Sequence, residues 1–314
     1  MNNINRVSAF EGNSSSIKRR YEYAMENFNS YQDVILDKYI YLGITSIKDD
    51  YLRGFYLATY LSETEWSKRF WHYANELNRI IFDLSLNVDK EVVLDYDGKQ
   101  QTVKGFYVGQ QNLPYIYNCW DWRKWVHQSL ITRDERQLNN LRQLDTENMF
   151  GKIAQYRSLN PDAIDPITHD FYMLLLNKEY VRASEILRTI IEKITTSPRS
   201  CFKNYAFIAE KRDAVDLLLI PFYRCLESVL DNNQTLFDER LYDSLQKHKD
   251  WTMVKLRSPK NSLYTPNYNE PEGFVSIPLL AACSIAYDNG MSINVESDYI
   301  PEWLYKNDGH LTTR

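Results

Sequence analysis

Few residues in this chain stand where they could do chemistry by themselves. Five histidines lie at positions 72, 127, 169, 248 and 310, and four cysteines at 119, 201, 225 and 283. His72 and Glu76 are four apart, as are Asp165 and His169, so each pair shares a face if its segment is helical. Such a pair could begin a metal site or an acid–base couple. A metal site needs further ligands, and a surface hydrogen bond explains each pair more simply. No CxxC occurs, so a structural zinc site has no support and the cysteines read as buried free thiols. A cysteine–histidine nucleophile stays open, since its members meet only in the fold, but nothing local favours it. HExxH, GxGxxG, GxSxG and GxxxxGK followed by Ser or Thr are all missing. Metalloprotease, phosphate-cradle and nucleophile-elbow chemistry therefore have no basis in the sequence. Catalytic, metal and cofactor-binding residues are assigned as none.

The elements that must position any site are expected to be mainly α-helical. Glycine and proline number 10 each in 314 residues, about half their usual share of roughly 12%. So few turn-formers disfavour a many-stranded fold. Hydrophobic residues at 44% and charged residues at 25% fit a globular chain that buries a core without disulfides or metals. Apolar residues recur at helical spacing from Ser15 or Ser16 through Ile17, Tyr21, Ala24, Phe28 and Tyr31 to about Ile40. A second helix, with Thr45 or Ser46 as cap, carries Tyr51, Leu52 and Phe55. A third, capped by Ser62 or Thr64, carries Trp66, Phe70, Tyr73, Leu77 and Ile81. Residues 91–96 and 102–107 are β-branched and aromatic and flank Asp97-Gly98, which signals one β-hairpin.

Helices resume near Leu113, with Trp120, Trp122 and Trp125 inside six residues. Helical spacing turns Tyr117, Trp120 or Cys119, and Leu130 inward. Asp134 starts a short helix, and another spans about 146–156. RSLNPDAIDP, with Pro161 and Pro166, is the best candidate for a boundary or linker, because the residue before a proline avoids the α region. The second half reads as helices over 169–176, over EYVRASEILRTIIEKI, over about 201–230 with a break at Pro221, and over 232–253. A polar loop, RSPKNSLYTPNYNEPEG, precedes a last helix over 276–289 that stops at Gly290. An extended tail, MSINVESDYIPEWLY, follows. One segment faintly resembles a tetratricopeptide helix pair but has no second copy. The expected architecture is a multi-helix bundle of antiparallel helical hairpins with one small β-hairpin insertion. It comprises a mobile leader over 1–14, a helical half over 15–158 with its hairpin at about 91–107, and a helical half over 166–314, the halves sharing one core.

Charge is uneven. The net charge is −5, which argues against a general nucleic-acid binder. Over 261–314 the acids are Glu270, Glu272, Asp288, Glu296, Asp298, Glu302 and Asp308, against Lys306 and Arg314 alone. That segment holds the whole net charge. The plain reading is a solvated surface; the sharper one is a patch that meets a basic partner. Lys18-Arg19-Arg20 is too short a cluster to bind nucleic acid. No apolar run approaches the roughly 18 residues of a membrane span, and the first twenty residues lack a signal-peptide core, so a cytoplasmic protein is expected. The 24 tyrosines and 7 tryptophans belong first to packing, with some left for an interface.

The end of the chain, PEGFVSIPLLAACSIAYDNGMSINVESDYIPEWLY, resembles the closing motif of the immunity protein 49 family. The matching parts are the small-residue apolar helix over 279–286, Gly290, the valine-containing stretch 293–295, and Tyr299-Ile300-Pro301-Glu302-Trp303-Leu304. Upstream, the tryptophan-rich helix followed by Arg133-Asp134 is similar to the family's Arg-Asp element. FYMLLLNKEYVRASEIL resembles its next helix pair. In order, these matches cover about 120–304, while the first 110 residues match loosely.

The resemblance implies a bacterial immunity protein of interbacterial competition, a toxin–antitoxin pairing in which the protein binds and blocks a cognate toxin. The toxin would be the C-terminal domain of a polymorphic or contact-delivered effector. The resemblance implies no enzyme activity and no cofactor. With no signal peptide, the toxin should act in the cytoplasm, and a nuclease with a basic groove is the guess. The expected partner is that toxin domain, with no nucleic acid and no membrane, and a homodimer is left open. Glu296, Asp298, Glu302 and Trp303 are the candidate contacts. Arg133 and Asp134 read as a helix-start ion pair or cap, Gly290 as the stop, and Tyr299 and Pro301, with Leu304, as fixing the tail on the last helix. An α-helical adaptor with several modest partners is the alternative, followed by an enzyme of unrecognised class.

Overall fold

The computed structural model describes residues 2–5, 14–32, 43–110, 113–155, 160–257 and 271–307. Its first layer is α1 (Ser14–Gln32), α2 (Ile44–Tyr60) and α3 (Thr64–Leu86). The helical stripe of Ile17, Tyr21, Ala24 and Phe28 is buried as its spacing requires. Phe28 meets Trp66, Phe70 and Tyr73 of α3 edge-on, with centroids 5.1–5.5 Å apart. Gly54 lets α2 lie close, since a Cβ there would stand 2.6 Å from the Phe70 ring. The expected extension of α1 to about Ile40 falls outside the described residues.

The expected caps of α2 and α3 are corrected. Gly43 and Glu63 occupy the cap positions, and neither bonds through a side chain. Thr45 and Ser46 lie inside α2, and Thr64 opens α3. Ser62 instead ends α2: it takes φ 61°, and the Ser62 and Glu63 amides donate to the Thr59 and Ala58 carbonyls. This is the left-handed reversal that satisfies a helix's last carbonyls.

β2 (Glu91–Tyr96) and β3 (Lys99–Lys104) form the hairpin, antiparallel from Tyr96↔Lys99 to Glu91↔Lys104. Asp97 and Gly98 both have positive φ, 52° and 71°, as a two-residue turn of this hand demands. That turn makes pairing begin at Lys99 rather than at 102. Val92, Leu94 and Tyr96 are buried, and the Tyr96 hydroxyl lies 3.1 Å from that of Tyr51. β4 (Gly109–Gln110) and β5 (Leu113–Pro114) make a short second antiparallel pair.

The next helices are α4 (Cys119–Thr132), α5 (Glu135–Arg142) and α6 (Thr146–Ile153). Asn118, Asp134 and Asp145 cap them through their side chains, each satisfying amides that a first turn leaves unpaired. Trp122 and Trp125 are buried, as are Tyr117 and Cys119, but Trp120 is 41% exposed. The inward face of α4 therefore begins at Cys119 and runs through Trp122, not Trp120.

Pro166 lies inside a helix rather than in a connecting segment. It sits in the first turn of α7 (Asp165–Leu176), where its missing N–H removes no helical bond. The helix therefore starts four residues earlier than expected. α8 (Tyr180–Thr196) and α9 (Pro198–Cys201) follow. The expected helix over 201–230 is shorter: α10 (Ala209–Ala214) runs through one wide π turn, Val215–Leu219, into α11 (Ile220–Leu230). Pro221 stands just after that turn, so the wide turn absorbs the missing donor that would otherwise break the helix. α12 (Gln234–Arg257) precedes the polar loop, of which 258–270 fall outside the described residues. The chain closes with α13 (Ile277–Asp288), β6 (Val295–Ser297) and α14 (Glu302–Tyr305).

The mobile leader is corrected at its start. Asn2–Ile4 forms β1, paired parallel with β6 as Asn2↔Val295 and Ile4↔Ser297. Ile4 is 3% exposed, and burying that side chain holds the strand in place. Buried apolar residues form one continuous cluster from Ile4 to Tyr305. The candidate boundary or linker segment is anchored to its neighbours over 160–165. Arg123 of α4 pairs with Asp165, Lys211 lies 2.8 Å from Asp162, and the Lys203 amide donates to Asp162. The architecture is mainly α with small two-stranded sheets.

Candidate functional site

β6 and α14 bring the acidic tail to the corner where α2 turns into α3. Between them lies a cleft of about 530 Å³. Glu296, Asp298, Glu302 and Trp303 all line it, so the four candidate contacts meet in one place. Thr59, Ser62, Thr64 and Ser67 form the opposite wall, and Asn3 and Asn5 close one end. No local pattern pointed to these hydroxyls and amides, which lie more than 220 residues from the tail in the chain.

Each side of the cleft is held by ordinary bonds. The Tyr299 carbonyl accepts from the Ser276 amide at 2.8 Å, at the start of α13. The Tyr299 ring is buried edge-on against His248 of α12, 4.8 Å between centroids. Tyr299 thus fixes the tail on α12 as well as on α13. The Ser297 hydroxyl donates to the Ile4 carbonyl at 2.9 Å, joining tail and β1. Pro301 precedes α14, and Leu304 is 2% exposed. On the far wall the Thr59 and Ser67 hydroxyls lie 2.7 Å apart, and Thr59 also donates to the Phe55 carbonyl.

The carboxylates are exposed, while the indole is half-buried. Trp303 meets Phe55 edge-on and has the Lys68 ammonium 6.0 Å from its centroid. Glu302 pairs with Lys306 one turn on. The chemistry offered is a rim of negative charge around an aromatic floor that already accepts a cation on its face. Such a site suits lysine or arginine side chains of another protein.

Arg133 and Asp134 serve the scaffold. Asp134 accepts from the Gln137 amide at 3.0 Å and caps α5. Arg133 takes φ 54° at the end of α4 and pairs not with Asp134 but with Asp288 of α13, 2.9 Å away. It also donates to the Tyr305 carbonyl at 2.7 Å, so one guanidinium holds the ends of α4, α13 and α14 together. Gly290 is the stop: φ is 77°, and the Met291 amide donates back to Ala286.

The residues first considered for chemistry are dispersed. His72 Nε2 and Glu76 Oε1 are 3.7 Å apart. Asp165 and His169 do not pair; Asp165 binds Arg123, and His169 Nε2 lies 2.8 Å from the Leu144 carbonyl. Burial pushes His169 down to about 4 and His127 down to about 3, so both are neutral near pH 7. All four cysteines are buried and free. Burial pushes the Cys119 thiol up to about 11 and raises those of Cys225 and Cys283 as well, the opposite of an activated nucleophile. Among the described residues no His, Cys, Asp and Glu cluster could hold a metal ion, and no helix is long and apolar enough to cross a membrane.

A family model described as Immunity protein 49 matches residues 61–304 of the chain. The match takes in both walls of the cleft apart from Asn3, Asn5, Thr59 and Tyr305. No curated protein and no solved structure matches.

Proposed function

The chain belongs to the immunity protein 49 family, and from that premise we propose that it binds and neutralises a cognate protein toxin, without catalysis of its own, using the acidic cleft. The observation that carries this reading is the convergence of Glu296, Asp298, Glu302 and Trp303 on one cleft. A negative rim steers a basic surface toward it and fixes its orientation, and a central aromatic is the usual anchor of an interface. A nuclease fits this reading, because its substrate-binding groove must be basic to hold phosphates. The protein would then act in the cytoplasm, where such a toxin finds nucleic acid.

The test compares two baits in the native bacterial cytoplasm, the wild type and the Glu296→Lys/Asp298→Lys/Glu302→Lys variant. The wild type is expected to retain one stoichiometric partner bearing a C-terminal toxin domain. The variant should bind that partner at least about tenfold more weakly at low salt, with a flatter salt dependence. An unchanged affinity removes the cleft from the interface; many weak partners, or none, overturn the immunity reading itself.

A further inference from the structure

The β-hairpin is a two-stranded sheet, so the outer edge of β3 pairs with no other strand among the described residues. In this ladder the Gly105 amide donates to the Lys90 carbonyl, which fixes the phase: 99, 101 and 103 exchange bonds with β2. Gln100, Thr102 and Lys104 therefore point their amides and carbonyls away from β2. All three residues are exposed. An unpaired edge of this length is a template for another strand.

We propose that β3 is a self-association edge, which pairs antiparallel with β3 of a second copy across a two-fold axis at Thr102. The sequence is self-complementary in that register. Thr102 faces Thr102 of the second copy, and Gln100 faces Lys104, each pair exchanging two backbone hydrogen bonds. Lys99 falls opposite Gly105, so no two lysines oppose each other, and paired threonines are favourable neighbours. A second observation lies on the opposite face of the strand. The side-chain oxygen of Gln101 is buried with no hydrogen-bond partner, which disfavours leaving it so. In the proposed register Gln101 lies diagonal to its own counterpart, and a turn of both side chains toward the two-fold axis would let one amide donate to the other's oxygen. The product is a four-stranded antiparallel sheet, isologous and closed. It lies on the hairpin, not on the residues that line the acidic cleft, so this proposal and the toxin-binding reading fail independently.

Sedimentation velocity of the full chain over a concentration series tests it. The wild type is expected to show a monomer–dimer equilibrium. Thr102→Pro removes an outward amide that β2 does not use, and should weaken the dimer at least about tenfold. Thr102→Lys and Thr102→Glu set like charges face to face on the axis. Each should be monomeric alone, and an equimolar mixture should pair. These two variants decide the matter even where the proline variant does not fold. A monomer at every concentration up to about 0.1 mM, where specific association is already weak, overturns the proposal. So does a dimer that none of the three variants weakens.

Discussion

Glu76 shows how burial, rather than sequence spacing, gives a residue its character. Its four-residue spacing from His72 marked it as a candidate pair, and the structure places Arg79 Nη2 as close as the His72 ring, 3.7 Å. Burial pushes the Glu76 carboxyl up to about 7, partly opposed by Arg79 and by a hydrogen bond from the Asp97 backbone, and slightly reinforced by the charges of Asp95 and Asp97. Its folded pKa lies above the ordinary value of 4.5, so the stability it contributes is complete below about pH 4.5 and is lost as pH rises through 7. Glu76→Gln keeps the neutral shape at every pH. It should leave stability unchanged near pH 4.5 and raise it at pH 8, on the order of 2 kcal/mol. Urea unfolding at the two values checks this; an equal effect at both would contradict a buried, proton-holding carboxyl. At this scale Asp134 and Gly290 were legible, because caps and stops are local. Arg133 was legible as structural but not by partner, since Asp288 lies 155 residues away.

Among the helices, one ending recurs with four different residues. α2, α7, α11 and α13 all finish in the same left-handed reversal, at Ser62, Lys178, Asn232 and Gly290, with φ of 61°, 60°, 51° and 77°. In each, the following amide reaches back five residues to Ala58, Leu174, Ser228 or Ala286. Sequence reading found only Gly290, where positive φ carries no steric cost. Asn232 is a residue type that also tolerates it, but nothing local marks Ser62 or Lys178. Lys178 is the strained member, a long side chain at positive φ with no hydrogen bond or ion pair among the described residues. Lys178→Gly should therefore stabilise the protein by about 0.5–1 kcal/mol, read as a higher urea midpoint with an unchanged slope. A loss of stability would show that the lysine stem does useful packing. The hairpin was legible for the converse reason: Asp-Gly between apolar runs admits few turns. Its second strand was misplaced by three residues because β3 is largely polar and carries no buried alternation of its own.

For the molecule as a whole, the question left by the sequence was whether 15–158 and 166–314 share a core. We expect one cooperative unit. α13 lies against α4, Arg133 joins them at their ends, and the Arg123–Asp165 pair is buried between α4 and the start of α7. Tryptophan fluorescence and far-ultraviolet circular dichroism should report one coincident urea transition. Asp165→Asn, which strands the Arg123 charge, should shift both signals together by about 3–5 kcal/mol; two separated transitions would mean two cores. The acidic cleft was half legible: the tail's charge and Trp303 stood out, but the wall facing them comes from the α2–α3 corner and from β1. The β1–β6 pairing joins Asn2 to Val295, nearly the full span of the chain. During synthesis the first strand therefore has no partner in β6 until Val295–Ser297 have left the ribosome. The cleft takes Asn3 from that strand, Asn5 from just beyond it, and Glu296, Asp298 and Trp303 from the tail, so it is assembled only after the tail has emerged. Any binding there follows the meeting of two strands from opposite ends of the fold, and whatever delays that meeting delays binding.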